Sequence, residues 1–296
     1  CIRDSFDVEL RDPDSVYPIF RSESKENLAR LLGHEENVHL HNLVVDLGSL
    51  RGLIPREETA LGIADGSARE IAILSRVGKP VCFQVLGFTS DGTVLLSRRA
   101  AQAEALDYFL EHLRPGDILP SVVQNPASFG TFCDIGCGVT ALMSIERCSV
   151  SRITHCNQRF SPGQKIYTAI LGIDREAKRI SLTHRELLGT WAENAAGFRA
   201  GQAVTGIVRS VQPYGAFIEL APNLSGLAEP EGNLEPGQMV SVYIRSILPD
   251  KQKIKLTVLE QLDPRHVPPR LLRYYRTVGR LDRWEYAPGS GTVTVF

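Results

Sequence analysis

The chain has 296 residues, 43% of them hydrophobic, and a formal net charge of −1. Its length predicts two or three domains. No run of apolar residues is long enough for a membrane-crossing helix, and no charged-then-apolar export leader is read at the start, although Cys1 in place of Met leaves room for a preceding segment. A cytoplasmic protein without a membrane partner is expected. Charge is unevenly spread: residues 1–99 are net −3, residues 114–185 net +4, residues 197–262 neutral and residues 264–296 net +4. An anionic partner is expected at the middle of the chain and at its tail.

In chain order, residues 1–37 read as an acidic arm broken by Pro13 and Pro18, then a short helix from Ser24 to Leu32 stopped by Gly33. Val38 to Gly48 reads as a strand pair rich in β-formers, opening a domain over 38–100. Ala103, Leu106, Phe109, Leu110 and Leu113 form one stripe of a linking helix that runs to Leu113, with 101–113 as the linker. Strands are predicted at Asp117–Gln124, Ser128–Ile135, Val139–Met143, Lys165–Gly172 and Arg179–Thr183, with a helical turn near Arg147–Arg159. A second linker helix is expected over 185–197, with Leu187, Trp191 and Ala195 at steps of four. The domain over 114–184 is followed by another over 198–262. A basic, aromatic extension closes the chain over 263–296, with Arg270, Arg273, Arg276, Arg280 and Arg283 among Tyr274, Tyr275, Trp284 and Tyr286. It reads equally as an RNA-facing segment or as an extension docked on the last domain. A short helix after Pro268-Pro269, a turn at Pro288-Gly289 and a strand over 291–296 are expected in it.

The domains over 114–184 and 198–262 are copies of one unit. Gly116 and Phe129-Gly130-Thr131-Phe132 return 85 residues later as Gly201 and Tyr214-Gly215-Ala216-Phe217. Pro162-Gly163-Gln164 and Arg179-Ile-Ser-Leu-Thr183 return 74 residues later as Pro236-Gly237-Gln238 and Lys253-Ile-Lys-Leu-Thr257. One deletion of 11 residues between Leu142 and Pro162 accounts for the difference. Val45-Asp46-Leu47-Gly48, Val77-Gly78-Lys79 and Leu95-Leu96-Ser97 mark a third, degenerate copy over 38–100. Five short strands in about 70 residues, with glycine at the bends, predict a small closed barrel of the oligonucleotide-binding type. The fold class is therefore all-β with linking helices, as tandem five-stranded OB-fold barrels.

A glycine kink between Phe129 and Phe132, and again between Tyr214 and Phe217, can turn both rings of each pair to one outward face. Exposed rings on a curved sheet make a stacking platform for unpaired bases. A lone Phe-Gly-x-Phe is more often buried core, but its repetition beside a basic hairpin favours the exposed arrangement. Arg175, Lys178 and Arg179, and then Lys251, Lys253 and Lys255, lie at the closing hairpins and can meet phosphates.

The pattern Gly-x-(Ile/Val)-x5-(Phe/Tyr)-Gly-x-Phe, followed by Ile173-Asp174 and Arg179-Ile-Ser-Leu-Thr183, resembles the S1 RNA-binding domain family. The tandem array is similar to the ribosomal protein S1-like proteins of bacteria. The resemblance implies S1-type barrels and single-stranded RNA as the partner, often mRNA at the small ribosomal subunit. It adds Asp174 and Arg179 to the rings as site residues. The last copy departs from the pattern with Lys253 for the Arg, Glu229 for a His and Leu248 for the Asp; the middle copy has Ser144 at the His position. The first copy has His41 and Val44 where the rings belong, so RNA affinity is expected to rank middle above last above first.

The competing expectation is a protein-interaction or RNA-decay scaffold built from the same barrels. An enzyme is not expected: no phosphate-binding glycine loop, acidic metal cluster or nucleophile elbow is read, and His34, His39 and His41 fall in the weakest copy. No cofactor or metal is expected either. Cys133, Cys137, Cys148 and Cys156, with His155 nearby, have spacings outside the usual zinc patterns, and Cys133 alternates into a core.

Overall fold

The computed structural model describes residues 42–48, 50–229, 233–263, 265 and 271–296. The arm and helix expected over 1–37, the start of the strand pair at Val38, and Pro268-Pro269 lie outside these residues. The described chain falls into two compact units, one within Cys1–Leu113 together with Asp134–Thr140, the other Arg114–Cys133 together with Ala141–Phe296.

In the first unit, β1 (Leu43–Asp46), β2 (Arg51–Ile54), β3 (Gln84–Phe88) and β4 (Val94–Ser97) form a sheet in the order β1-β2-β4-β3. β2 and β4 run parallel, and the other two pairs antiparallel. Leu43, Val45, Ile54, Ile73, Val94 and Leu96 fill its core, with Ile73 supplied by the one-turn helix α1 (Ile71–Leu74). Helix α2 (Arg98–His112) starts on a Ser97 cap, whose Oγ accepts from the Ala100 N–H at 2.8 Å. Of the expected stripe, Phe109, Leu110 and Leu113 are buried, but the amino-terminal half of the buried face is shifted. Ala101, Gln102, Ala105 and Phe109 turn inward, while Ala103 and Leu106 are only half-buried. The polar residues Arg98 and Gln102 are drawn in because the Arg98 guanidinium donates to the Thr59 carbonyl and Gln102 bridges the Leu61 N–H and the Gly138 carbonyl.

The second unit holds two closed barrels, apart from Asp134 and Thr140, which end and begin two strands of the middle one. The middle barrel comprises β5 (Ile118–Pro126), β6 (Gly130–Asp134), β7 (Thr140–Ser144), β8 (Lys165–Asp174) and β9 (Arg179–Thr183), in the order β5-β6-β7-β9-β8. The last comprises β10 (Ala203–Gln212), β11 (Gly215–Ala221), β12 (Leu224–Ala228), β13 (Met239–Leu248) and β14 (Lys253–Leu262), in the equivalent order β10-β11-β12-β14-β13. Closure leaves no exposed sheet edge to aggregate. The sequence sets which face points inward, because side chains alternate along a strand. Ile180 and Leu182, and Ile254 and Leu256, are buried, while Arg179, Ser181, Lys253 and Lys255 between them are exposed. Cys133, Met143, Ile166 and Ile170 line the middle core; Ile218, Leu224, Val242 and Ile244 line the last.

A single linker helix over 185–197 does not form. A 3-10 turn at Arg185–Leu188 is followed by a break at Gly189, and a new helix α3 (Trp191–Ala195) starts with a Thr190–Glu193 capping box. Gly189 has φ +83, and a Cβ there would come within 2.5 Å of the Tyr275 ring, so the chain turns where the tail presses on it. The expected helical turn over Arg147–Arg159 is likewise two separate 3-10 turns, Ile145–Arg147 and Cys156–Gln158.

That loop joins the two barrels. The Ser151 N–H donates to the Pro222 carbonyl at 3.0 Å, and the Arg159 guanidinium forks onto Glu219 with both contacts at 2.8 Å. Arg209 reaches the same carboxylate at 2.7 Å. Burial opposes ionisation of Glu219, but the two guanidiniums outweigh it and hold its pKa below the usual carboxylate value.

The tail straps across both barrels. The Tyr275 N–H donates to the Leu187 carbonyl at 2.8 Å and the Leu281 N–H to the Gly116 carbonyl at 2.9 Å. β15 (Arg283–Glu285) pairs with β16 (Val293–Val295) through the turn at Pro288-Gly289, and Ala287 enters the last barrel's core. The tail's rings are thus turned toward the barrels, as in the docked reading, and the chain from Leu271 to Arg276 carries no helix. Tyr274 completes a buried relay. The Tyr167 N–H donates to its phenolic oxygen at 3.3 Å, its O–H donates to His184 Nε2 at 3.0 Å, and His184 Nδ1–H donates to the Cys148 carbonyl at 2.7 Å. Burial pulls the His184 pKa from 6.5 to about 4, with the Cys148 hydrogen bond opposing it.

His184 is therefore neutral when folded at pH 7. The unfolded chain takes up its proton as pH falls through about 6.5, so stability drops between about 6.5 and about 4 and levels off below, a loss on the order of 3 kcal/mol. Glu219 adds a further loss as pH falls through its lowered pKa. Urea unfolding across this range should show the fall, and His184→Gln should lower stability at pH 7 while flattening the slope between pH 6.5 and 4. An unchanged slope would contradict the assignment.

Candidate nucleic-acid interface

The site is built on the bend between the first and second strands of each barrel. At Gly130 a Cβ would come within 2.5 Å of the Met143 carbonyl oxygen, and at Gly215 within 2.3 Å of the Ala228 carbonyl oxygen. Gly215 also has φ +147. Only glycine lets the second strand press this closely on the third. Beyond the glycine, Thr131 and Cys133 point into the middle barrel with no exposure, and Phe132 points out. Phe129, just before it, is 58% exposed, and its carbonyl accepts from the Ile145 N–H at 3.0 Å. The Phe129 and Phe132 ring centroids lie 6.0 Å apart, edge to face at 78°. Tyr214, 63% exposed, and Phe217 repeat the arrangement at 6.3 Å and 90°.

Strand register extends each platform sideways. Phe217 faces Leu227, and Leu227 faces Lys255, so ring, aliphatic side chain and cation form one row across β11, β12 and β14. In the middle barrel Leu142 faces Ser181 on β9, and Arg179 lies two residues away on the same face. Leu142 and Leu227 are 37% and 36% exposed. Sequence reasoning missed this pair as site residues, although Ala141-Leu142 returns as Gly226-Leu227 at the same 85-residue offset as the rings.

The closing hairpins place the remaining candidates. Asp174 Oδ1 accepts from the Ala177 N–H at 2.9 Å, so its carboxylate closes the hairpin turn. Arg175, Lys178 and Arg179 are exposed around it, and Lys251 and Lys253 hold the same place in the last barrel. Lys178 and Gln252 both take left-handed backbone, at φ 50 and φ 51, so the two hairpins share one shape. The acid Glu229 pairs with Arg245 at 2.9 Å in the open, which neutralises one cation at the last barrel's surface. In the first unit Val44 is buried where the second ring would be, and His41 lies outside the described residues. No group of three or more potential metal ligands occurs among the described residues. Cys133, Cys148 and Cys156 are buried, the last two with their sulfurs 3.7 Å apart.

Residues 112–185, which contain the middle barrel, match the family model for the S1 RNA binding domain. The chain is 31% identical over 233 residues to the small ribosomal subunit protein bS1 of Staphylococcus aureus, covering 73% of this chain and 58% of that protein. It is 29% identical over 235 residues to the bS1 homolog of Bacillus subtilis, covering 74% of this chain and 59% of that one. The chain thus spans somewhat under two thirds of the length of these relatives. A solved multidomain protein with nucleic acid binding domains from Streptococcus pneumoniae matches 76% of this chain and 70% of its own at 16% identity and a TM-score of 0.28, too low to add to the argument. With the family model matched over residues 112–185, the middle closed five-stranded barrel is an S1 RNA-binding domain, and the same strand order and ring pair repeat in the next barrel.

Proposed function

We propose that the chain binds single-stranded RNA, without catalysis, through the ring platforms of its middle and last barrels. Phe129, Phe132, Tyr214 and Phe217 stack bases; Arg175, Lys178, Arg179, Lys251, Lys253 and Lys255 meet phosphates; Asp174 holds the middle hairpin in shape. The observation that carries this reading is the pair of outward ring clusters at equivalent positions of two barrels. Phe129 and Tyr214 are 58% and 63% exposed, so core burial does not explain their repetition, and each stacked base contributes about 1–3 kcal/mol. The relatives named as small ribosomal subunit proteins support placing this activity in translation, on mRNA at the small subunit in the cytoplasm. Affinity ranks middle barrel above last, since Glu229 and its ion pair temper the last platform, and both above the first copy, which presents Val44 in place of a ring.

Phe129→Ala combined with Phe132→Ala should weaken binding of an unstructured oligonucleotide by about 2 kcal/mol or more, on the order of 30-fold, with urea unfolding unchanged. Equal affinity would show the rings to be structural. Glu229→Gln should release Arg245 to the RNA, tighten binding several-fold and steepen the slope of log affinity against log salt by up to about 0.7. Unchanged affinity and slope would remove Arg245 from the interface.

A further inference from the structure

The 11 residues by which the middle copy exceeds the last fall in the loop that docks the two barrels. At the centre of the joint is Asn223, on the turn between β11 and β12 and fully buried. Its Oδ1 accepts from the Val150 N–H at 2.9 Å, in the docking loop. Its Nδ2 donates to the Arg185 carbonyl at 2.7 Å and the Gly189 carbonyl at 2.8 Å, both in the linker after β9. Its own carbonyl accepts from the Tyr286 hydroxyl at 2.7 Å, in the strap. One side chain therefore ties the hairpin that carries Phe217 and Leu227 to the loop that follows β7 and to the linker that follows β9. β7 and β9 are the strands that carry Leu142 and Arg179.

We infer that Asn223, with the Arg159–Glu219 pair, is a positioning residue that fixes the two platforms relative to each other, so that one RNA strand is bound across both as a single site. This rests on the RNA reading above. Two sites on a loose tether gain from linkage only through effective concentration, and a fixed joint whose separation matches the strand raises that gain. A joint ordered before RNA arrives lowers the entropic cost of binding a long strand.

The test uses the full chain and fluorescein-labelled oligouridylates of about 5 and about 20 nucleotides, which match one platform and both. The long strand should bind the unaltered protein about 100-fold or more tighter than the short one. In Asn223→Ala the long-strand affinity should fall about tenfold while short-strand affinity holds, a split that mere loss of folded protein does not give. The same long-to-short ratio in both proteins overturns the inference. Failure of the unaltered protein to bind either strand sinks the RNA reading instead, and the joint is then decided by a second measurement. Asn223→Ala leaves buried partners unpaired, so that measurement uses the unaltered protein. Backbone 15N relaxation giving one rotational correlation time for residues 114–133 with 141–184 and for residues 203–262 supports the fixed joint, and two distinct times contradict it.

Discussion

Closing five strands into a barrel forces the second strand to bend sharply across the third, and here both closed barrels make that bend at a glycine. Gly130 and Gly215 sit against the carbonyl oxygens of Met143 and Ala228 with no room for a Cβ. The close approach does more than shape the barrel. It sets the phase of the strand, so that Thr131, Cys133 and Ile218 go inward, while Phe129 and Tyr214 before the glycine are exposed and Phe132 and Phe217 after it are half-buried. The aromatic platform follows from how the barrel closes, and the aliphatic and cationic neighbours follow from the strand order that places the third and fifth strands beside it.

A second layer of order comes from the joint between the two closed barrels. Arg159 and Arg209 on one Glu219 carboxylate make a buried charged cluster. Removing one member of such a cluster costs about 3–5 kcal/mol, although a well-packed apolar replacement of the whole cluster can cost nothing. Its value here is directional: a forked carboxylate fixes an orientation that apolar contact would leave free to slide. Asn223 and the strap act the same way with neutral hydrogen bonds. The buried His184 and Glu219 then make the joint the acid-sensitive part of the unit, since both oppose the protonation that falling pH imposes.

Much of this was legible in the chain itself. The two-residue alternation of Arg179-Ile-Ser-Leu-Thr183 and Lys253-Ile-Lys-Leu-Thr257 reports directly on which face is buried, and the repeated aromatic-glycine pattern places the rings. In the linker Leu187, Trp191 and Ala195 hold helical spacing, but Gly189 between them takes a positive φ against the ring of Tyr275, nearly 90 residues on, and the helix breaks there. Periodicity carries no information about such a distant contact. The same holds for α2, where Arg98 and Gln102 turn inward because of hydrogen bonds to Thr59, Leu61 and Gly138. The deletion between the copies could be placed from sequence, but not its meaning, because the partners of that loop are in another domain.

The most direct measurement is ultraviolet crosslinking of an oligouridylate to the intact chain, with the attached residues mapped by mass spectrometry. Base-stacked rings should give adducts at Phe129 or Phe132 and at Tyr214 or Phe217. Adducts confined to the strap or to the first unit, with all four rings unmodified, would mean that RNA lies elsewhere on the molecule and that the exposed rings serve another end.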